Sequence, residues 1–142
     1  MKTYLDASFL VSLYCADANS EAAIRQVRSL RHEYVVSTLA ELEVGNALEL
    51  RVFRKEISRT QARASWDDLA SDLRDGTFQL QALPDQLFAR AMLLSRQTTA
   101  RFDTRTAVLL HVAAALELGC EGLYSFDQRQ RELARAVRLK LN

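Results

Sequence analysis

Short apolar runs alternate along this chain with longer segments in which hydrophobic residues recur every three or four positions. The runs predict buried strands at Lys2–Leu5, Glu33–Ser37 and Gly122–Tyr124, a weak strand at Thr77–Leu80 and a last strand at Val137–Lys140. The periodic segments predict helices at Ser8–Cys15, Ser20–Leu30, Thr38–Phe53, Ser58–Arg74, Pro84 to about Gln97, Thr104–Leu118 and Gln128–Ala136. Strands separated by helices indicate an α/β fold, with a central parallel sheet and helices on both faces.

Residues with known preferences for helix ends agree with these boundaries. Ser20 and Ser58 are suitable N-caps, and Pro84 suits the first turn of the helix that follows it. Gly119 is expected to end the preceding helix. The chain has no repeat, low-complexity tract or linker-like stretch, so residues 1–142 are expected to form a single domain.

The predicted helix Thr104–Leu118 is apolar on nearly every side and should therefore be buried. Arg105 and His111 are its only strongly polar interior residues before Glu117, and they lie three positions either side of Val108. The three side chains therefore share one stripe of the helix. A lone histidine on an apolar helix is more often a satisfied core residue. The stripe also looks like the polar wall of a binding site in which one position, that of the valine, is apolar.

Composition indicates the cellular compartment of the chain but says little about its binding partners. The formal net charge of +1 argues for no partner, and the two cysteines are too few for a disulfide framework. We therefore expect two small buried thiols in a reducing, cytoplasmic setting. A charge at Asp6 interrupts any signal-peptide core, and the apolar run near Leu109 is too short and polar to cross a membrane.

Two acidic residues directly follow predicted strands. Asp6 comes after Lys2–Leu5, and Asp127 comes shortly after Gly122–Tyr124. Ligands of open α/β sheets bind outside the carboxyl ends of the strands, which makes both acids candidate site residues. Both could equally be helix N-caps, and Gln130 would complete a capping box with Asp127.

A third acid, Glu43, lies within a predicted helix. Its neighbours on the same face are mostly apolar, whereas Glu41 has more polar neighbours. A carboxylate on an apolar face needs a cation, a proton or a partner such as arginine. Arginine is plentiful here, since sixteen of the nineteen basic residues are arginine.

Four segments, in order, resemble motifs of the PIN-domain ribonucleases, in particular the VapC-type toxins of VapBC toxin–antitoxin pairs. They are YLDASFLVSLY, STLAELEVGNALELR, RTAVLLHVAAALELG and YSFDQRQRELA. In the second segment the family's spacing from serine to acid selects Glu43 over Glu41. The resemblance covers essentially the whole chain, although about Ser58 to Ala100 matches in helix pattern only.

The resemblance implies a PIN-like three-layer sandwich and Mg²⁺- or Mn²⁺-dependent cleavage of RNA. Carried over by position, Asp6, Glu43 and Asp127 would be the catalytic and metal-binding residues. The polar residues expected to support them are Ser8, Asn46, Arg105 and Ser125. The family also suggests a cognate antitoxin that inhibits by laying a peptide in the groove, and a homodimer.

One position departs from the family pattern, because its third acid falls on Val108. Valine cannot bind a metal ion, so we expect weaker metal affinity and reduced or absent activity. Asp103 lies five residues earlier, about 140° around the helix, and cannot simply replace that acid. It could instead cap the helix or reach in from the loop.

Three functional hypotheses follow from these residues. The leading one is a metal-dependent endoribonuclease, and the alternative is an inactive PIN module that binds RNA or an antitoxin. A receiver-like phosphoacceptor domain also groups acids at strand ends, but Glu43 has no role in that scheme. Phosphate contacts are plausible at three arginine-rich groups: Arg25, Arg28 and Arg31; Arg51, Arg54 and Lys55; and Arg129, Arg131 and Arg135.

Overall fold

A four-stranded parallel sheet forms the centre of the computed structural model, which describes residues 1–29 and 32–142. The strands are β1 (Lys2–Leu5), β2 (Glu33–Ser37), β3 (Gln79–Gln81) and β4 (Gly122–Tyr124). Their order across the sheet is β3-β2-β1-β4, with every pairing parallel. The order therefore reverses between β1 and β4, where a doubly wound sheet opens a crevice at its carboxyl edge.

Helices cover both faces of this sheet, which confirms the predicted three-layer α/β architecture. They are α1 (Ala7–Tyr14), α2 (Ser20–Ser29), α3 (Thr38–Phe53), α4 (Arg59–Arg74), α5 (Leu87–Phe102), α6 (Thr106–Glu117) and α7 (Gln128–Ala136). No helix among the described residues is both long enough and apolar enough to cross a bilayer.

Successive strand residues point to opposite faces and so build two separate cores. Tyr4 packs with α5, α6 and α7, whereas its neighbour Leu5 packs with α1, α3 and α4. In the same way Leu123 and Tyr124 of β4 enter different cores. The short central strands are thus buried on both faces, which explains why they appear in the sequence as continuous apolar runs.

Most predicted boundaries lie within two residues of the observed ones, including the weak strand Thr77–Leu80, which forms as β3 (Gln79–Gln81), but two predictions differ more. Helix α5 begins at Leu87 instead of Pro84, because Pro84 lies in a turn whose carbonyl accepts the Leu87 amide, and it continues to Phe102. The predicted strand Val137–Lys140 is wrong: only one isolated bridge joins Lys140 to Gly122. The predicted end of α2 at Leu30 lies outside the described residues.

Helices α3, α4, α6 and α7 end in one common geometry, in which the residue after the C-cap has a positive φ. Gly119 (φ 69°) follows α6 as predicted, and Arg138 (φ 67°) occupies the same position after α7. At both ends the next two amides bond back to carbonyls in the last helical turn, as in a Schellman motif. The left-handed Arg138 is the reason that the expected last strand does not form.

Candidate functional site

Asp6 stands at the carboxyl end of β1, beside the point where the strand order reverses, and only 2% of it is exposed. It is the N-cap of α1, where Oδ1 accepts the Phe9 amide at 2.8 Å. Oδ2 accepts hydrogen bonds from the Ser125 hydroxyl at 2.6 Å and the Gln130 side-chain amide at 2.7 Å. The Ser8 hydroxyl lies 2.8 and 3.0 Å from the two oxygens. Both oxygens are therefore engaged by protein donors.

Burial raises the pKa of the Asp6 carboxyl, because the ionised form loses its contact with water. Hydrogen bonds from Ser125, the Phe9 amide and Ser8 act in the opposite direction, but burial outweighs them. The donors around Asp6 thus partly stabilise a carboxylate that its position in the core disfavours.

Glu43 projects from α3 and is about one-third exposed, with 34% of its side chain accessible. Its Oε2 lies 2.5 Å from Nε2 of His111, which α6 holds almost fully buried. His111 Nδ1 in turn lies 2.8 Å from the Tyr4 hydroxyl. Arginine is one of the partners that the sequence leaves open for a carboxylate on this face, whereas the structure provides histidine. The sequence predicts His111 as a core residue or as part of a site wall, and its spacing from Val108 is the one local signal of its position.

Asp127 follows β4 and is exposed at the start of α7. Its Oδ1 accepts the Gln130 amide at 2.8 Å, which confirms the capping interpretation. The reciprocal bond of a capping box is absent, because the Gln130 side chain bonds Asp6 instead. The Asp127 amide donates to the Ser125 hydroxyl at 3.0 Å, so the same serine contacts both candidate acids.

One groove of about 630 Å³ borders these residues. Glu43 and Asp127 both line it, together with the predicted supporting residues Ser8 and Asn46. Asp6 does not line the groove itself, but it lies directly behind Ser8, with which it shares two short contacts. Within residues 1–29 and 32–142, no three Asp, Glu, His or Cys side chains are grouped closely enough to hold a metal ion.

The other predicted positions lie at the edges of this arrangement. Val108 is 8% exposed and belongs to the apolar core under α6, so no carboxylate extends from this helix position. Arg105 is exposed at the N-cap of α6, makes no side-chain capping bond and does not line the groove. Asp103 ends α5 and pairs with Arg129 at 3.3 Å, so it does not cap α6, and it does not line the groove.

The far end of the groove carries a fixed ion pair. Arg51 contacts Asp17 at 3.0 Å, and both side chains are about three-quarters buried. Burial alone would raise the pKa of Asp17, but hydrogen bonds from Arg51, the Asn19 amide and Ser12 outweigh it and hold that pKa below its usual value. This arginine, one of those considered for phosphate binding, is therefore already neutralised within the protein.

The loop after β4 is held by Asn142, which the sequence did not indicate, and by Arg131, which was predicted to contact phosphate. Asn142 Oδ1 accepts the Ser125 amide at 2.9 Å and the Arg131 guanidinium at 2.7 Å. Arg131 also donates to the Ser125 carbonyl at 2.9 Å. These bonds hold the main chain of Ser125, next to Asp127, against α7.

Comparison with known proteins places the chain in a family. It matches the family model of the PIN domain over residues 3–136. No curated protein sequence gives a match.

Solved structures with a similar fold include VapC20 from Mycobacterium tuberculosis, described as a sarcin–ricin loop cleaving toxin. Its identity is 19%, with 92% of this chain and 93% of that chain covered and a TM-score of 0.70. VapBC2 from Rickettsia felis, bound to a promoter DNA fragment, is 13% identical, with 100% of this chain and 98% of that chain covered and a TM-score of 0.70. FitAcB from Neisseria gonorrhoeae is 13% identical, with 98% of this chain and 95% of that chain covered and a TM-score of 0.68. The family match and the shared fold together show that this chain belongs to the PIN domain family.

Proposed function

We propose that this chain is a VapC-type endoribonuclease toxin that uses Mg²⁺ or Mn²⁺, with activity weakened by Val108. The observation that carries the proposal is that Glu43 and Asp127 border one groove at the carboxyl edge of the sheet, with Asp6 directly behind its wall. The structural likeness to VapC20, described as a sarcin–ricin loop cleaving toxin, supports the same function.

The donor chemistry around the groove fits a weakly held divalent ion. Mg²⁺ is commonly bound by one or two carboxylates together with substrate phosphates, and Glu43 and Asp127 provide such oxygens. Asp6 could become a ligand only by exchanging one of its present hydrogen bonds. When bound, the ion would polarise the scissile phosphate and lower the pKa of an attacking water.

The protein's own residues would orient the RNA and limit repulsion. Asp127 is fixed by its capping bond, so its carboxylate enters the groove from a rigid helix start. Asn46 lines the groove and can hydrogen-bond ribose or phosphate oxygens, whereas the hydroxyl of Ser8 is already donated to Asp6. Without a cation the carboxylates would repel the RNA backbone, so RNA binding and metal binding should be coupled.

The direct test restores the missing acid with Val108→Asp and uses Val108→Asn as the matched control. Both variants place a polar group at an 8% exposed position, and aspartate should lose more stability than asparagine because burial also penalises its charge, but only aspartate adds a charged oxygen ligand. We expect Val108→Asp to increase Mn²⁺ affinity on the order of tenfold, equivalent to about 1.4 kcal/mol, and to increase RNA cleavage.

Mn²⁺ titration calorimetry and cleavage of a labelled RNA give the two readouts, and thermal unfolding shows that both variants fold. Equal affinity and cleavage in the Asp variant, the Asn variant and the parent would refute the proposed site.

A second candidate function is an inactive PIN module that binds RNA or an antitoxin without cutting. It is favoured by the apolar surroundings of Val108 and by the full set of protein donors on Asp6. Retained RNA binding, with no cleavage by the parent at saturating Mn²⁺, would select this function over the first.

We infer that the partners are a cognate antitoxin and a second copy of the chain. Large apolar side chains are exposed on two helices, Leu42 (68%) and Phe53 (83%) on α3 and Phe88 (67%) and Met92 (57%) on α5. Such exposure is typical of protein-binding surfaces. We also propose a reducing, cytoplasmic setting, which suits the free buried thiols of Cys15 and Cys120.

A further inference from the structure

A chain of polar side chains runs from Glu43 into the protein core. His111 lies between Glu43, at 2.5 Å from Nε2, and the Tyr4 hydroxyl, at 2.8 Å from Nδ1. The Tyr4 hydroxyl is also 2.6 Å from the Ser37 hydroxyl. Ser37 is the N-cap of α3 and accepts the Ala40 amide at 3.1 Å. We call Glu43, His111, Tyr4 and Ser37 the relay.

The relay begins and ends at helix α3. Ser37 caps α3, and Glu43 lies on the same helix six residues later. Between them the hydrogen bonds cross β1 at Tyr4 and α6 at His111. Tyr4, Ser37 and His111 are at most 2% exposed, so water offers them almost no competing partner. This closed path limits rotation of α3 and fixes where the Glu43 carboxylate lies relative to α6.

A neutral His111 ring allows one consistent set of donors along the relay. A carboxylate oxygen 2.5 Å from Nε2 requires a proton on that nitrogen. In a neutral ring Nδ1 is then an acceptor, and Tyr4 must donate to it. Ser37 donates in turn to the Tyr4 oxygen, so every hydrogen in the relay has an acceptor. A doubly protonated ring would reverse the last two bonds and leave the Ser37 hydrogen without an acceptor in the relay.

This direction has a consequence for the carboxylate. The His111 bond occupies Oε2, so Oε1 is the oxygen that Glu43 can offer to a ligand in the groove. Buried partners that fix the orientation of a ligating group typically change metal affinity by 10–100-fold when they are removed. The effect should be strong here, because Val108, which lies on α6 with His111, contributes no further carboxylate.

We propose that His111 is a positioning residue for Glu43, oriented by Tyr4 and Ser37. This inference rests on the proposed function, because it assumes that Glu43 binds a divalent cation. In this role His111 acts on the groove only through the Glu43 carboxylate and does not bind the cation itself.

The test measures Mn²⁺ binding directly, without relying on RNA cleavage. His111→Phe keeps a ring but removes both nitrogens, and we expect affinity to fall about tenfold. His111→Gln restores a donor to Glu43 and should recover most of that loss. Tyr4→Phe removes the bond behind the ring and should lower affinity less than His111→Phe. The matched control is His32→Phe, which removes the other histidine of the chain at a site outside the groove.

Nitrogen NMR of the imidazole gives a second readout that does not depend on metal. We expect His111 to carry its proton on Nε2 in the parent and to lose that preference in Tyr4→Phe. Thermal unfolding of each variant separates a loss of fold from a loss of positioning.

Three results would count against the inference in distinguishable ways. If Glu43→Gln lowers Mn²⁺ affinity but His111→Phe does not, the positioning role is wrong and the proposed function stands. If Glu43→Gln itself has no effect, the proposed metal site fails and the inference fails with it. A proton on Nδ1 in the parent spectrum would overturn the assigned direction of the relay.

Discussion

Replacing Asp6 tests whether its carboxylate joins the start of α1 to the elements at the other side of the sheet. Asp6 accepts hydrogen bonds from the Phe9 amide, the side-chain amide of Gln130 and the hydroxyls of Ser8 and Ser125. Asp6→Ala removes every acceptor at once. Asp6→Asn keeps the shape and one carbonyl oxygen.

The expected loss can be worked out donor by donor. Loss of the N-cap bond to Phe9 costs about 1 kcal/mol. Ser8 and Ser125 are 3.2 Å apart and can bond each other once the carboxylate is gone. The buried Gln130 amide then remains the main orphan, at a cost of about 1–3 kcal/mol. Asp6→Ala should therefore lower the free energy of unfolding by about 2–4 kcal/mol.

The asparagine variant should lose much less. Its side-chain oxygen can still accept the Phe9 amide, and its NH₂ group can face the oxygen of a rotated Gln130 amide. Asn also carries no charge that burial would penalise. We expect a loss of about 1 kcal/mol for Asp6→Asn.

Urea unfolding in the presence of EDTA measures both variants without any contribution from bound metal. A loss below about 1 kcal/mol for Asp6→Ala would show that these hydrogen bonds do not hold the elements together. Equal losses in the two variants would show that the acceptor geometry is not what matters. Either result would refute the reasoning.

Two further predictions concern the helix end and the ion pair. Arg138→Gly should raise the free energy of unfolding by about 1 kcal/mol, because φ of 67° disfavours a side chain, whereas the control Arg138→Ala keeps the Cβ and should give no such gain in urea unfolding. Although burial opposes it, the bond from Arg51 helps to hold the pKa of Asp17 below its usual value. The unfolded chain therefore takes up the proton first, so this contribution is complete above about pH 4 and is lost as pH falls through the lowered value. Asp17→Asn should make stability less dependent on pH below 4, and an unchanged pH profile would contradict the role of the pair.

Most of the secondary structure follows from local patterns. Strands β1, β2 and β4 match their predicted ranges, because each is a short run of apolar residues buried on both sides. The errors occur where local signals compete. Pro84 suits a first helical turn, but it lies in the preceding turn. Val137–Lys140 has the composition of a strand, but the left-handed Arg138 turns the main chain out of strand geometry.

The candidate site also combines features that follow from local sequence with contacts that do not. The positions of Asp6 and Asp127 after strands are local facts, and their capping role was one of the interpretations open from sequence. The pairing of Glu43 with His111 joins residues 68 positions apart. No helical spacing can indicate such a contact, and from the sequence alone several arginines were equally good partners for Glu43.

By itself, the sequence determined the order of strands and helices, the burial of α6 and the acids at the strand ends, because these depend on neighbours within about one helical turn. Only the tertiary structure decided that Gln130 turns away from its own cap to Asp6, and that His111 meets Glu43. Those contacts depend on how α3, α6 and α7 are rotated against the sheet. That rotation is set by the packing of two cores built from all parts of the chain.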